Sequence, residues 1–135
     1  MQFGGAADLE TLIFASKDQS IILRSRDLPC MGHPLYEVDP RAEALLRATR
    51  RCASLTKEGG RLLDEIEAAR AQSGRYPNLF GALVFMARAL DLPKGSALLV
   101  NTVGRTAGWI AHAVEQRHAG AMLRPRAKYM GDHIA

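Results

Sequence analysis

The chain has 135 residues, which the length prior reads as one domain able to bury a core without disulfide or metal staples. Hydrophobic residues make up 47% and aromatics only 6%, and the apolar content is largely Ala and Leu, so the composition leans all-α. The net charge of +4 sits mostly on scattered arginines, with no basic run beyond Arg50-Arg51 and no interleaved aromatics. That pattern argues against nucleic acid and suits a small polyanion, because forked guanidinium donors match carboxylates and phosphates.

Two cysteines, Cys30 and Cys52, make neither a disulfide framework nor a metal spacing, and free thiols in a reducing compartment are the expectation. The N-terminus lacks a basic start and a long apolar stretch, and no window reaches the length of a membrane span. A cytoplasmic protein without metal or cofactor is expected.

Residues 1–7 are Gly-rich and read as flexible, with Asp8 as N-cap of a first helix carrying Leu9, Leu12, Ile13 and Ala15 to about residue 17. Ile21-Ile-Leu23 is a short apolar run of undecided state, and residues 27–32 read as loop. Asp39-Pro40 is a strong helix start, a carboxylate cap followed by Pro at the first helical position. That second helix is expected to run to Ala53 with Leu45, Leu46 and Ala48 inward. Gly59-Gly60 is read as a separator before a third helix over 61–73, with Leu62, Leu63, Ile66 and Ala69 on one face and Gly74 just past its end. Asn78 caps a strongly apolar helix over 79–90. The last and longest helix covers 96–116, with Leu99, Val103, Ala107, Ile110 and Val114 as a continuous seam. Pro125 makes the tail at 123–129 extended.

Three segments, in order and at matching spacing, carry a resemblance. They are Gly32-His-Pro-Leu-Tyr36 with Asp39-Pro-Arg41, Val103-Gly-Arg-Thr-Ala-Gly-Trp-Ile-Ala-His112, and Arg124-Pro-Arg126. Together the segments resemble the citrate synthase family, including 2-methylcitrate synthases and citryl-CoA lyase-like members. Gly4-Gly5-Ala6-Ala7 resembles the turn after the family's first active-site histidine. The resemblance covers only the family's C-terminal part. It implies an all-α fold of about five helices, a small-domain-like part over 1–95 and a long helix with tail over 96–135. The family's upstream large domain has no counterpart here.

By the same resemblance, His33 corresponds to the histidine that holds the keto oxygen of the 2-oxo acid. Arg41 and Arg105 correspond to carboxylate clamps, and Arg124 to the arginine supplied across the dimer. Pro29-Cys30-Met31-Gly32 corresponds to the loop that cradles CoA, with Cys30 where the family usually has Gly. Two departures follow. Phe80, in Pro77-Asn-Leu-Phe80, stands at the general-base Asp position, and Phe3 stands at the first catalytic histidine. The implied function is binding of a di- or tricarboxylate of the oxaloacetate or citrate type, with acyl-CoA as the second substrate, in a chain that is not a catalyst alone. If a partner chain completes the site, the activity is acyltransfer of citrate synthase type or citryl-CoA lysis. A non-catalytic helical interaction module that keeps only the fold is the other reading.

Each residue also has a bland reading. His33 alone is a loop histidine, Arg41 an exposed first-turn residue, and Arg124 and Arg126 a solvated basic tail. His112 and Trp109 read as structural. The apolar 96–116 helix, without a large domain to cover it, predicts an exposed face and therefore a homo-oligomer or a large-domain partner chain.

Overall fold

The computed structural model describes residues 3–15, 23 and 28–120, with the side chains of residues 3 and 4 excepted. Among these the chain forms five helices, and the only pairing of strand type is an isolated bridge between Met31 and Pro77. They are α1 (Phe3–Ala15), α2 (Pro40–Arg50), α3 (Lys57–Ser73), α4 (Leu79–Ala89) and α5 (Ser96–Ala119). The expected extended tail, the apolar run at 21–22 and Arg124 lie outside the described residues. The chain divides into two compact units, Met1–Thr102 and Val103–Ala135.

In the first unit α4 is the central element, and α1, α2 and α3 all pack on it. Its sequence explains this. Gly81, Ala82, Leu83, Val84, Phe85, Ala87 and Ala89 are all buried, so the helix is apolar around much of its circumference and can be lined on several sides at once. Leu9 and Ile13 of α1, Leu46 of α2, and Leu62, Leu63 and Ile66 of α3 complete the core. Asn78 caps α4 as expected, accepting from the N–H groups of Phe80 and Gly81.

Several boundaries differ from the sequence reading, each for a physical reason. The helix α1 begins at Phe3, not after Asp8, so Gly4-Gly5 is helical rather than flexible. A Cβ at Gly5 would lie 3.5 Å from Pro29 Cβ and 3.6 Å from Cys30 Sγ, so this turn packs on the 29–32 loop. The buried face of α1 is Leu9, Glu10 and Ile13, whereas Leu12 and Ala15 are exposed. In α2 the inward stripe is Ala42, Leu46 and Thr49, at i, i+4 and i+7, and Ala48 is exposed. The helix ends at Arg50, where the Arg51 and Cys52 N–H groups bond three residues back to Ala48 and Thr49.

Gly59-Gly60 is no separator. It lies in the first turn of α3, capped by Thr56, whose hydroxyl accepts from Gly59 N–H at 2.8 Å and donates to Ala89 O at 3.1 Å. A Cβ on Gly59 would collide with the backbone of Ala89, so the glycine permits α3 to start against the end of α4. Gly74 does end α3 as read, in the left-handed conformation at φ +67°.

Asp39 joins the N-termini of α2 and α4. Its buried carboxylate caps α2 by accepting from Arg41 N–H at 3.1 Å, and accepts from Leu79 N–H at the start of α4 at 3.0 Å. It also takes a two-pronged bond from the Arg41 guanidinium, Nε at 3.0 Å and Nη2 at 2.9 Å. Burial by itself would raise the Asp39 pKa. The side-chain and backbone bonds from Arg41 and the Leu79 N–H outweigh it and hold the carboxyl below its ordinary range.

The second unit contains the rest of α5. Val103, Trp109, Ile110 and Val114 are all about half or more exposed, and so is Arg105. Trp109, read from sequence as a packing residue, is therefore half in solvent. His112 forms only an exposed i,i+3 pair with Glu115 at 3.4 Å.

Two outcomes test this account. Gly59→Ala should lose about 1–3 kcal/mol or more in urea unfolding, an overpacking cost against backbone that cannot yield. Gly60→Ala, with open space around it, should be neutral or gain up to about 1 kcal/mol from helix propensity. Because Asp39 has a depressed folded pKa, its contribution is full above the unfolded value near pH 4 and is lost as pH falls through the folded value. Asp39→Asn should therefore flatten the acid limb of the stability–pH profile and cost about 1–3 kcal/mol at neutral pH.

Candidate functional site

His33 lies in the loop that leads to α2, half exposed, with Tyr36 tilted against its ring at 4.8 Å. The Leu35 backbone N–H donates to His33 Nδ1 at 3.1 Å. In the neutral imidazole that leaves the ring proton on Nε2. Arg41 Nη2 stands 3.4 Å from this Nε2. Two donors cannot satisfy each other, so they form a convergent pair that an oxygen lone pair from outside would bridge.

The position of Arg41 follows from Asp39. An arginine in a first helical turn gains nothing from the helix dipole. The internal carboxylate accounts for its place there. Asp39 holds Nε and Nη2 and raises the guanidinium pKa further, while more than half of the side chain stays in solvent. The Asp39-x-Arg41 spacing was the available signal for this pair.

The 29–32 loop runs beside the N-terminus of α4. Cys30 O accepts from Asn78 N–H at 2.9 Å, Gly32 N–H donates to Tyr76 O at 2.7 Å, and Asn78 Nδ2 donates to Gly32 O at 3.2 Å. Gly81 lets the loop approach, since a Cβ there would lie 2.8 Å from Cys30 O. Cys30 itself has φ +62°, the left-handed region that favours glycine. Its thiol pKa is raised by burial and by the nearby Asp8 carboxylate, which makes it a poor nucleophile.

Phe80 is half-buried in the first turn of α4 and lines a cavity that Ala6 and Ala7 of α1 also line. The two helix starts that carry Phe3 and Phe80 therefore meet. Glu10, which sequence reading passed over, is buried on the same cavity, since the amphipathic stripe of α1 gave no reason to place a carboxylate inward. Of the residues singled out from sequence, His33, Arg41, the 29–32 loop and Phe80 fall in the first unit. Arg105 belongs to the second, exposed on α5, and Arg124 lies outside the described residues. Among the described residues no cluster of His, Cys, Asp and Glu is placed to hold a metal ion, and no helix is long and apolar enough to cross a membrane.

Comparison with known proteins bears on this arrangement. Residues 6–126 match the family described as citrate synthase, C-terminal domain. The chain is 31% identical over 119 residues to a putative citrate synthase 2 of Mycobacterium tuberculosis, covering 84% of this chain and 32% of that protein. It is 34% identical over 111 residues to a citrate synthase of Synechocystis, covering 76% and 28%. With a 2-methylcitrate synthase of Mycobacterium tuberculosis the identity is 29% over 118 residues, covering 82% and 29%. The chain thus spans about a third of the length of these relatives. With its all-α fold and its match over most of its length, this chain belongs to the citrate synthase family, whose C-terminal domain it carries.

Proposed function

We propose that this chain binds a di- or tricarboxylate of the oxaloacetate or citrate type, with His33 on the keto or hydroxyl oxygen and Arg41 beside it. The observation that carries the reading is the approach of Arg41 Nη2 to His33 Nε2 at 3.4 Å, with the Leu35 N–H on Nδ1. Asp39 neutralises Arg41, so the pair alone presents donors with little net charge. Arg105 and Arg124 would add the cationic clamps that a polyanion needs, and the 29–32 loop would take the CoA moiety of an acyl-CoA.

The chain alone is not the catalyst. The family's reaction needs a base to take a proton from the thioester methyl and an acid to stabilise the enol. Phe80 and Phe3, at the corresponding positions, can neither accept nor donate a proton. Loss of each such group typically costs about 10²–10⁴ in rate. If a partner chain supplies both groups, the complex would make or break a carbon–carbon bond between an acyl-CoA and a 2-oxo acid.

A second reading, an interaction module that keeps the fold and not the reaction, is favoured by one observation. Seven large apolar residues of α5, from Leu98 to Val114, are 42–64% exposed. The relatives are about three times as long, and a chain carrying the remainder of such a protein, or a second copy of this one, would cover that face.

Three measurements test these readings. Citrate or oxaloacetate at about 100 times its Kd should add about 2.7 kcal/mol of stability and raise Tm, and His33→Ala or Arg105→Ala should weaken binding about 10–100-fold. No shift with either acid or with CoA would leave the interaction module as the reading. Purified chain given acetyl-CoA and oxaloacetate should release no thiol, and release at a citrate-synthase-like rate would overturn the non-catalytic assignment. In sedimentation the chain should run as an oligomer, and a well-behaved monomer would contradict self-association.

A further inference from the structure

In the first unit a cavity of about 130 Å³ lies between α1, the start of α4 and the first turn of α5. Its wall is mostly apolar, with Ala6, Leu83, Val84 and Leu98 among its residues, and two polar residues, Glu10 and Asn101, also line it. Glu10 is only 8% exposed. One carboxylate oxygen, Oε1, accepts from Gly95 N–H at 2.9 Å. Among the described residues no cation pairs with it. Lys94, adjacent in sequence to Gly95, directs its ammonium to Thr11 Oγ1 at 3.1 Å.

Glu10 sets a carboxylate in a mostly apolar wall, with Oε1 engaged by a neutral backbone donor, and such a carboxylate favours a charge-assisted partner. The protein's net charge of +4 gives no long-range attraction for cations, so any cation bound here is held by local chemistry. A dry cavity of about 150 Å³ accommodates benzene, so this one suits an apolar body of about four to six carbons. An ammonium brings three donors, and the Glu10 carboxylate can accept from it as a charge-assisted bond.

We propose that this cavity is a binding site for a small aliphatic ammonium, with the alkyl body against Leu83 and Val84 and the ammonium on Glu10. The site is independent of the carboxylate reading, since it uses neither His33 nor Arg41. The full chain, ¹⁵N-labelled, is titrated with 3-methylbutylamine, with the isosteric 3-methylbutanol and with 3-methylbutanoate, and amide shifts are followed by NMR. The amine should perturb Gly95 and Asn101 and bind at least tenfold tighter than the alcohol, with the anion not binding. Glu10→Gln, which keeps an oxygen for Gly95 N–H, should abolish the tenfold preference, and Ala7→Phe should block both the amine and the alcohol. Equal binding of amine and alcohol, shifts confined to residues away from the cavity, or a preference that survives Glu10→Gln would each overturn the proposal. If Glu10→Gln does not fold, the comparison of amine with alcohol on the wild-type chain still decides it.

Discussion

Asp39 is the point at which the local chemistry of the chain becomes tertiary structure. As a helix cap it needs only the N–H of Arg41, and any Asx or Ser could serve. It also accepts from Leu79 at the start of α4, and so ties two helix N-termini to one carboxylate. Both positive dipole ends and the Arg41 guanidinium then converge on a single buried anion, which compensates the cost of burying it. The arrangement also dictates where Arg41 can point, and that direction brings Nη2 to the His33 ring. The candidate site is thus a consequence of how the fold satisfies one buried charge.

Around that joint, α4 is held by close approaches that only glycine allows. Gly59 admits the Ala89 backbone and Gly81 admits the Cys30 carbonyl, so α3 and the 29–32 loop sit against α4 at backbone contact rather than side-chain contact. Cys30 shows the complementary case. It adopts a conformation glycine would favour, held by its carbonyl bond to Asn78 N–H and by packing of its side chain against the core. By contrast α5 buries only Ala97 among its residues, although much of it is apolar. On the proposed reading, that apolar face would be covered by further protein, and the curated relatives that the chain matches are about three times as long.

On the proposed reading the chemistry separates by type. His33, Arg41 and Arg105 would donate to carboxylate oxygens, whereas Phe80 and Phe3 are hydrocarbon and transfer no proton. Donors can bind a polyanion without any change of protonation, whereas enolisation of a thioester cannot proceed without a base. Near Phe80 the surroundings are largely apolar, and among the cavity's lining residues the carboxylate of Glu10 is engaged by a backbone N–H.

The sequence by itself determined the helical class, the caps at Asp39 and Asn78, the end of α3 at Gly74 and the family, because each is written in short-range chemistry or in ordered motifs. His33 and Arg41 were singled out by resemblance, and the fold sets Arg41 Nη2 3.4 Å from His33 Nε2. Tertiary structure alone decided the rest. Gly59-Gly60 looked like a break because glycine weakens helices, and only the approach of Ala89 shows why the helix keeps it. Arg41 by itself read as an exposed first-turn residue because local spacing does not reveal which face of Asp39 its guanidinium takes. Glu10 drew no reading from sequence, since whether a carboxylate at that register is buried depends on what α4 and the Gly95 turn bring against it, and no local pattern encodes that.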